Sequence, residues 1–206
     1  YAALYPDLEN RTGVATSDVP LSAPNIVASA QSYGAKTVTL RRILGKSYST
    51  EDAAAIINAA MPSIAAAGMV VTDPDRMDVY IGSPLRPVDN FKLDLSDQTH
   101  MIRTYADANP TNAMFSPVRN WTFNSGVMIH GGRWVQYDSS MTGRCFNLRG
   151  PDLDIVGVYA EYSGGSGMAI IGDITGALGT VKIEDCEVRC TDPTAYGTDG
   201  FRVSGG

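Results

Sequence analysis

Through the second half of the chain, apolar and polar residues alternate with a period of two. FKLDL (91–95) puts Phe91, Leu93 and Leu95 on one face, with Lys92 and Asp94 on the other. MVV (69–71), VYI (79–81), WTF (121–123), FNL (146–148), LDI (153–155), MAI (168–170), VKI (181–183) and FRV (201–203) are short segments of the same kind. Successive side chains of a strand face opposite sides of its sheet, so each segment reads as a short strand with one buried face. Turn-rich segments such as TDPDR (72–76) and GSP (82–84) separate them.

Spacing adds more than the strands do singly. Leu93/Leu95, Trp121/Phe123, Leu153/Ile155 and Val181/Ile183 form one series, at intervals of 28, 32 and 28 residues. Phe146/Leu148, Met168/Ile170 and Phe201/Val203 interleave with it at intervals of 22 and 33. Self-similarity at this period marks stacked units. Propeller blades would be longer and more even, and leucine-rich repeats would keep a fixed Leu and Asn frame. The pattern therefore predicts an all-β fold, a parallel β-helix whose uneven insertions become loops.

One helix precedes the strands. Ser49 and Asp52 have capping-box spacing, and Glu51 and Asp52 place negative charge in the first turn. An Ala-rich run follows. Pro62 is expected to end or kink the helix, or to open a short second one, and Gly68 to stop it. The expected organisation is a connecting or anchoring segment (1–48), a capping helix (49–68) and the first coils (69–206), with more chain beyond Gly206. In 1–48, KTVTLRRIL (36–44) alternates well enough for a short strand.

Composition narrows the partners. The 44% of hydrophobic residues supports a sizeable core, and 21 Gly with 11 Pro suit frequent tight turns. A net charge of −6 without a Lys/Arg cluster argues against nucleic acid. The Ala-rich stretch 53–71 is broken by Asn58, Pro62 and Ser63, which argues against membrane insertion. Cys145, Cys186 and Cys190 lack a disulfide or metal spacing and read as small buried hydrophobes. His100 and His130 stand isolated in sequence, and no acidic cluster has the ligand spacing of a metal site. No cofactor and no metal are expected.

The order of elements resembles the start of pectate-lyase-like right-handed parallel β-helix proteins, which include phage tailspikes and polysaccharide depolymerases. The resemblance rests on STEDAAAIINAAMPSIAAAG (49–68), MVVTDPDRMDVYIGSPLRP (69–87), NFKLDLSDQTHMIRT (90–104) and NWTFNSGVMIHGG (120–132). The later coils FNLRGPDLDIVGVYAEYSGG (146–165), GTVKIEDCEVRC (179–190) and GTDGFRVSGG (197–206) continue it. One departure is GKSYSTEDAA (45–54), which stands where such proteins often carry a GDGxTDDT-like segment. The resemblance implies a right-handed solenoid and a polysaccharide as partner. It implies no set of catalytic residues, because one fold hosts many activities.

Glycoside hydrolysis uses two carboxyl groups flanking the bond. Asp199 is the first candidate, since TDG (198–200) resembles the NTD segment of polygalacturonase-like hydrolases, with Gly197 in place of the Asn. The same Asp suits a tight turn before Gly200. Glu161 is the second candidate. In the coil alignment it stacks over Arg189, which reads equally as a surface ion pair. Asp173, on a Gly-flanked turn, is the third. Sugar binding by stacking would draw on Tyr159, Tyr162, Tyr196 and Trp134, with Arg149 and Arg202 as outward cations.

Three functional readings follow. One is a phage or virion spike, homotrimeric and joined to other virion proteins through 1–48, that binds and cleaves a cell-surface polysaccharide. Another is a secreted polysaccharide lyase, hydrolase or epimerase. The last is an adhesive or structural β-helix without catalysis. All three imply an extracellular or virion location.

Overall fold

A computed structural model describes residues 34, 36–45, 53–73, 76–105, 113–116, 124–136, 145–162, 168–171, 179–191 and 201–204, with 168–171 and 201–204 as backbone alone. In chain order the elements are β1 (Thr37–Thr39), α1 (Leu40–Leu44), α2 (Ala54–Ala66), β2 (Val70–Asp73), β3 (Met77–Ile81) and β4 (Lys92–Arg103). Then come β5 (Met128–Val135), β6 (Phe146–Arg149), β7 (Leu153–Val156), β8 (Tyr159–Tyr162), β9 (Met168–Ile171), β10 (Val181–Glu184), β11 (Glu187–Cys190) and β12 (Phe201–Ser204).

An extended strand cannot satisfy its own backbone N–H and C=O groups, so neighbours along the sheet must do so. All the pairings among these strands are parallel. The larger sheet runs β1-β2-β4-β5-β7-β10, with β3 on β4 and β8 between β5 and β11. The smaller runs β12-β9-β6. Leu85, Phe115 and Phe146 link toward it through parallel bridges. The chain is thus all-β, a strand-rich parallel architecture with few helices.

The interleaved apolar series fall where the spacing puts them. Leu153 and Ile155 lie beside Val181 and Ile183. Phe146 and Leu148 lie beside Met168 and Ile170, which lie beside Phe201 and Val203. One assignment is corrected. Leu93 is flanked by Ile129, and Ile129 by Ile155, so β5 takes the place assigned to Trp121 and Phe123. WTF (121–123) lies outside the described residues. The spacing misled because the connections between paired strands differ in length.

A column of left-handed residues follows three neighbouring strands at one level. His130, Val156 and Glu184 are in register, and each is followed by a residue of positive φ: Gly131 (64°), Gly157 (65°) and Asp185 (50°). Beside this column β4 bulges. Leu95 pairs with Gly131 and His100 with Arg133, so Ser96, Asp97, Gln98 and Thr99 face only Gly132. Such a bulge re-aims the residues that follow it. A Cβ on Gly131 would lie 2.0 Å from the Leu95 carbonyl oxygen.

Inward side chains make the core. Phe91, Phe115, Trp134 and Phe146 are fully enclosed and meet ring to ring, with Trp134 and Phe146 centroids 4.7 Å apart. The α2 stripe of Ala54, Ile57, Ala60, Met61 and Ile64 joins that core at its N-terminal end. Fully burying each of its larger side chains contributes about 1.5–3 kcal/mol. The helix starts at Ala54 with no side-chain cap among the described residues and runs on through Pro62 to Ala66, against the expected stop. Ser49, Glu51 and Asp52 lie outside the described residues. Packing of the stripe outweighs the backbone hydrogen bond that Pro62 cannot donate. Gly68, at φ 64°, follows the helix end, as expected. Asn58 ties α2 to the chain after β3: its Nδ2 donates to the Pro84 carbonyl at 3.0 Å, and its Oδ1 accepts from Arg86 N–H at 2.7 Å.

Within the segment 1–48, β1 pairs with β2 and covers that edge of the sheet. Thr39 caps α1 by accepting from Arg42 N–H, and Val38, Leu40, Ile43 and Leu44 are buried in the common core. No helix among the described residues is long and apolar enough to cross a membrane.

Candidate functional site

Parallel in-register pairing turns one outward position into a column of side chains about 4.8 Å apart. On the outer face of the larger sheet, one column runs Asp78, His100, Arg133, Tyr159, Glu187. The next runs Tyr80, Ile102, Val135, Glu161, Arg189, with Val135 itself buried. The alternating inward neighbours Val79, Met101, Trp134 and Ala160 are buried, which holds these columns outward.

The first column carries two connected groups. His100 Nδ1 lies 2.9 Å from Asp78 Oδ1, with the imidazole 23% exposed. A donating Nδ1–H leaves Nε2 as the ring's acceptor. The next strand places the Arg133 guanidinium 4.5 Å over the Tyr159 ring. The Tyr159 hydroxyl donates to Glu161 Oε2 at 3.0 Å. Arg189 bonds to that hydroxyl in turn. This bond foremost, with the fields of Tyr159 and Glu161 behind it, holds the Arg189 guanidinium above its ordinary value. Glu161 and Arg189 stand in register, as the coil alignment expects.

A second His–Asp pair lies on the other side of the bend. His130 Nε2 is 3.1 Å from Asp154 Oδ2. The ring nitrogen left over is Nδ1, the one next to its own backbone. This pair therefore ties β5 to β7 and leaves a poorly placed acceptor. The isolation of His100 and His130 in sequence is thus corrected by the fold, since each meets an Asp from a neighbouring strand. Among the described residues no three His, Cys, Asp or Glu side chains converge as a metal site.

The candidates of the sequence fall into three groups. Tyr159 and Glu161 are outward and half-buried on β8, bonded to each other. Tyr162 and Trp134 point inward and are 1% and 0% exposed, so neither offers a face to a sugar, which corrects their expected placement. Strand parity decides this: Tyr162 is one residue from Glu161, and Trp134 one from Arg133. Trp134 spends its indole N–H on the Gly131 carbonyl, at 3.3 Å. Arg149, at the end of β6, is half-buried, and burial draws its guanidinium below its ordinary value. Arg202 lies on β12 opposite Ala169, with its side chain outside the description. Asp199, Asp173 and Tyr196 lie outside the described residues.

Sequence reasoning missed Asp78, His100 and Arg133. Aligning 77–81 with 99–103 and 133–135 would have placed them in one column. That alignment needs the β4 bulge, whose extra residues shift the frame and leave no mark in the apolar pattern.

The cysteines behave as expected of small core residues in one case. Cys145 is enclosed, and desolvation pushes its thiol up to about 12, against a smaller opposing effect of Arg103. Cys186 and Cys190 are half-buried, and none of the three is in a disulfide among the described residues.

Comparison with known proteins adds no relative: no protein family, no curated protein and no solved structure matches the chain.

Proposed function

We propose that this chain forms the early coils of a right-handed parallel β-helix of the pectate-lyase-like kind, and that it binds a cell-surface polysaccharide as a phage or virion tailspike does. Parallel strands returned to one sheet by crossovers suit this reading, because such crossovers are almost always right-handed. The observation that carries the binding reading is the pair of outward columns crossing β3, β4, β5, β8 and β11. Carboxylates, guanidinium groups, an imidazole and a tyrosine hydroxyl line up there across successive strands. A polymer of sugar units presents hydroxyl donors and acceptors at a comparable repeat. The spike would be a homotrimer, outside the cell or on a virion, joined to other virion proteins through residues 1–48.

A second reading, a polysaccharide-cleaving or polysaccharide-modifying enzyme, is supported by the His100–Asp78 pair beside Arg133. A panel of bacterial and plant polysaccharides tests both. Calorimetric binding that is lost in Arg189→Ala and Tyr159→Ala supports the proposed face. Binding that survives both substitutions moves the site elsewhere. New reducing ends indicate hydrolysis, and ultraviolet absorbance from unsaturated uronates indicates elimination. Binding without either leaves an adhesin. Sedimentation of the parent protein reads the trimer.

A further inference from the structure

The Asp78–His100–Arg133 group has the parts of a water-activating centre, and we infer that it hydrolyses ester substituents, such as O-acetyl groups, on an uncharged polysaccharide. The inference rests on the polysaccharide reading above and names the substrate class of that same face.

Geometry supplies the argument. Asp78 Oδ1 receives His100 Nδ1–H at 2.9 Å, which fixes the ring and its tautomer. His100 Nε2 accepts from no group among the described residues, so its lone pair is open to a water. Arg133 follows His100 in register on the adjacent strand. Its guanidinium lies flat on Tyr159, 4.5 Å from the ring centroid. It makes no ion pair among the described residues, so its N–H donors are not spent on a carboxylate there. An oriented base beside a preorganised donor set is what acyl transfer to water requires. The β4 bulge sets this arrangement, because Ser96–Thr99 have only Gly132 opposite them on β5 immediately before His100. The His130–Asp154 pair lacks the neighbouring guanidinium and uses Nε2 for its Asp.

Charge selects the substrate. Around this group Asp78, Glu161 and Glu187 face outward against Arg133 and Arg189. A polyuronate would meet net repulsion. An ester on a neutral glycan meets none, and its carbonyl carries negative charge only in the transition state, where Arg133 is placed to receive it.

The step balances with water as co-reactant. His100 Nε2 takes a proton from water as the water oxygen bonds to the acyl carbon. The carbonyl π pair moves onto its oxygen, facing the Arg133 N–H groups. That pair returns, the bond from acyl carbon to sugar oxygen breaks, and the imidazolium gives its proton to the leaving alkoxide. The products are a carboxylic acid and a sugar hydroxyl. His100 is the catalytic residue, and Asp78 is a positioning residue.

The parent protein, incubated with acetylated glucomannan, acetylated xylan and 4-nitrophenyl acetate, is expected to release acetate. His100→Gln should lower kcat about 10²–10⁴-fold, and Arg133→Met about 10²–10³-fold. Asp78→Asn should lower kcat with KM unchanged, which a merely structural role would not produce. His130→Gln should keep wild-type rates, and melting curves confirm that each variant is folded. Acetate release unaltered by His100→Gln overturns the inference. So does a wild-type protein that binds polysaccharide calorimetrically but releases no acetate; that result leaves the binding reading standing. Neither binding nor release removes both.

Discussion

Gly131→Ala isolates the contact that builds the bulge. The substitution places a methyl group in a left-handed backbone, at φ 64°. A non-glycine residue costs roughly 1–2 kcal/mol there. The new Cβ would also lie 2.0 Å from the Leu95 carbonyl oxygen and 3.1 Å from its carbon. Both atoms are backbone of the paired strand and cannot swing aside. Shifting β4 to make room costs a further ~1–3 kcal/mol, for a total of roughly 2–5 kcal/mol. Gly157→Ala is the internal control. It stands at the same level after the next strand, at φ 65°, with its nearest new neighbour, Gly131 N, 4.0 Å away. It should lose only the conformational share, roughly 1–2 kcal/mol. Asp185 already holds the equivalent position after the strand beyond, at φ 50°, so Gly157→Asn should be milder still. Urea unfolding of the three variants measures the difference. Equal losses for Gly131→Ala and Gly157→Ala would refute the argument, because the Leu95 contact would then contribute nothing.

Other expectations follow from burial. Trp134→Ala should cost about 3–5 kcal/mol through lost ring packing, whereas Trp134→Phe should keep polysaccharide affinity; binding lost at unchanged Tm would show that the indole meets the sugar after all. Cys145 has a folded-state pKa raised from 9.0 to about 12. Its contribution is therefore complete below pH 9 and is lost as pH rises toward 12, by roughly 1.4 kcal/mol per pH unit. Urea unfolding at pH 8 and pH 10.5 should show a steeper alkaline loss in the wild type than in Cys145→Ala, and parallel losses would sink this reading.

The alternation and spacing of apolar residues determined the strand class and the parallel pairing of the later strands, and Gly68 marked the stop of α2. These are local or periodic properties. A strand shows its inward face in every second residue, and register follows once successive apolar pairs must share one core. The cap expected at Ser49 and Asp52 lies outside the described residues, and what holds α2 among them is the packing of its apolar stripe. Trp134 and Tyr162 were misplaced by one residue of parity, since loop-like surroundings suggested exposure while the strand continued through them.

The chemistry of the outer face was decided by the tertiary structure alone. Asp78 meets His100, and Asp154 meets His130, across strands joined through more than twenty residues. Outward side chains bear almost no fold constraint, so their identities leave no period in the sequence. Their columns depend on how many residues each bend and bulge consumes. The Ser96–Thr99 bulge opposite Gly132 is a contact between backbones, and it alone brings His100 beside Arg133.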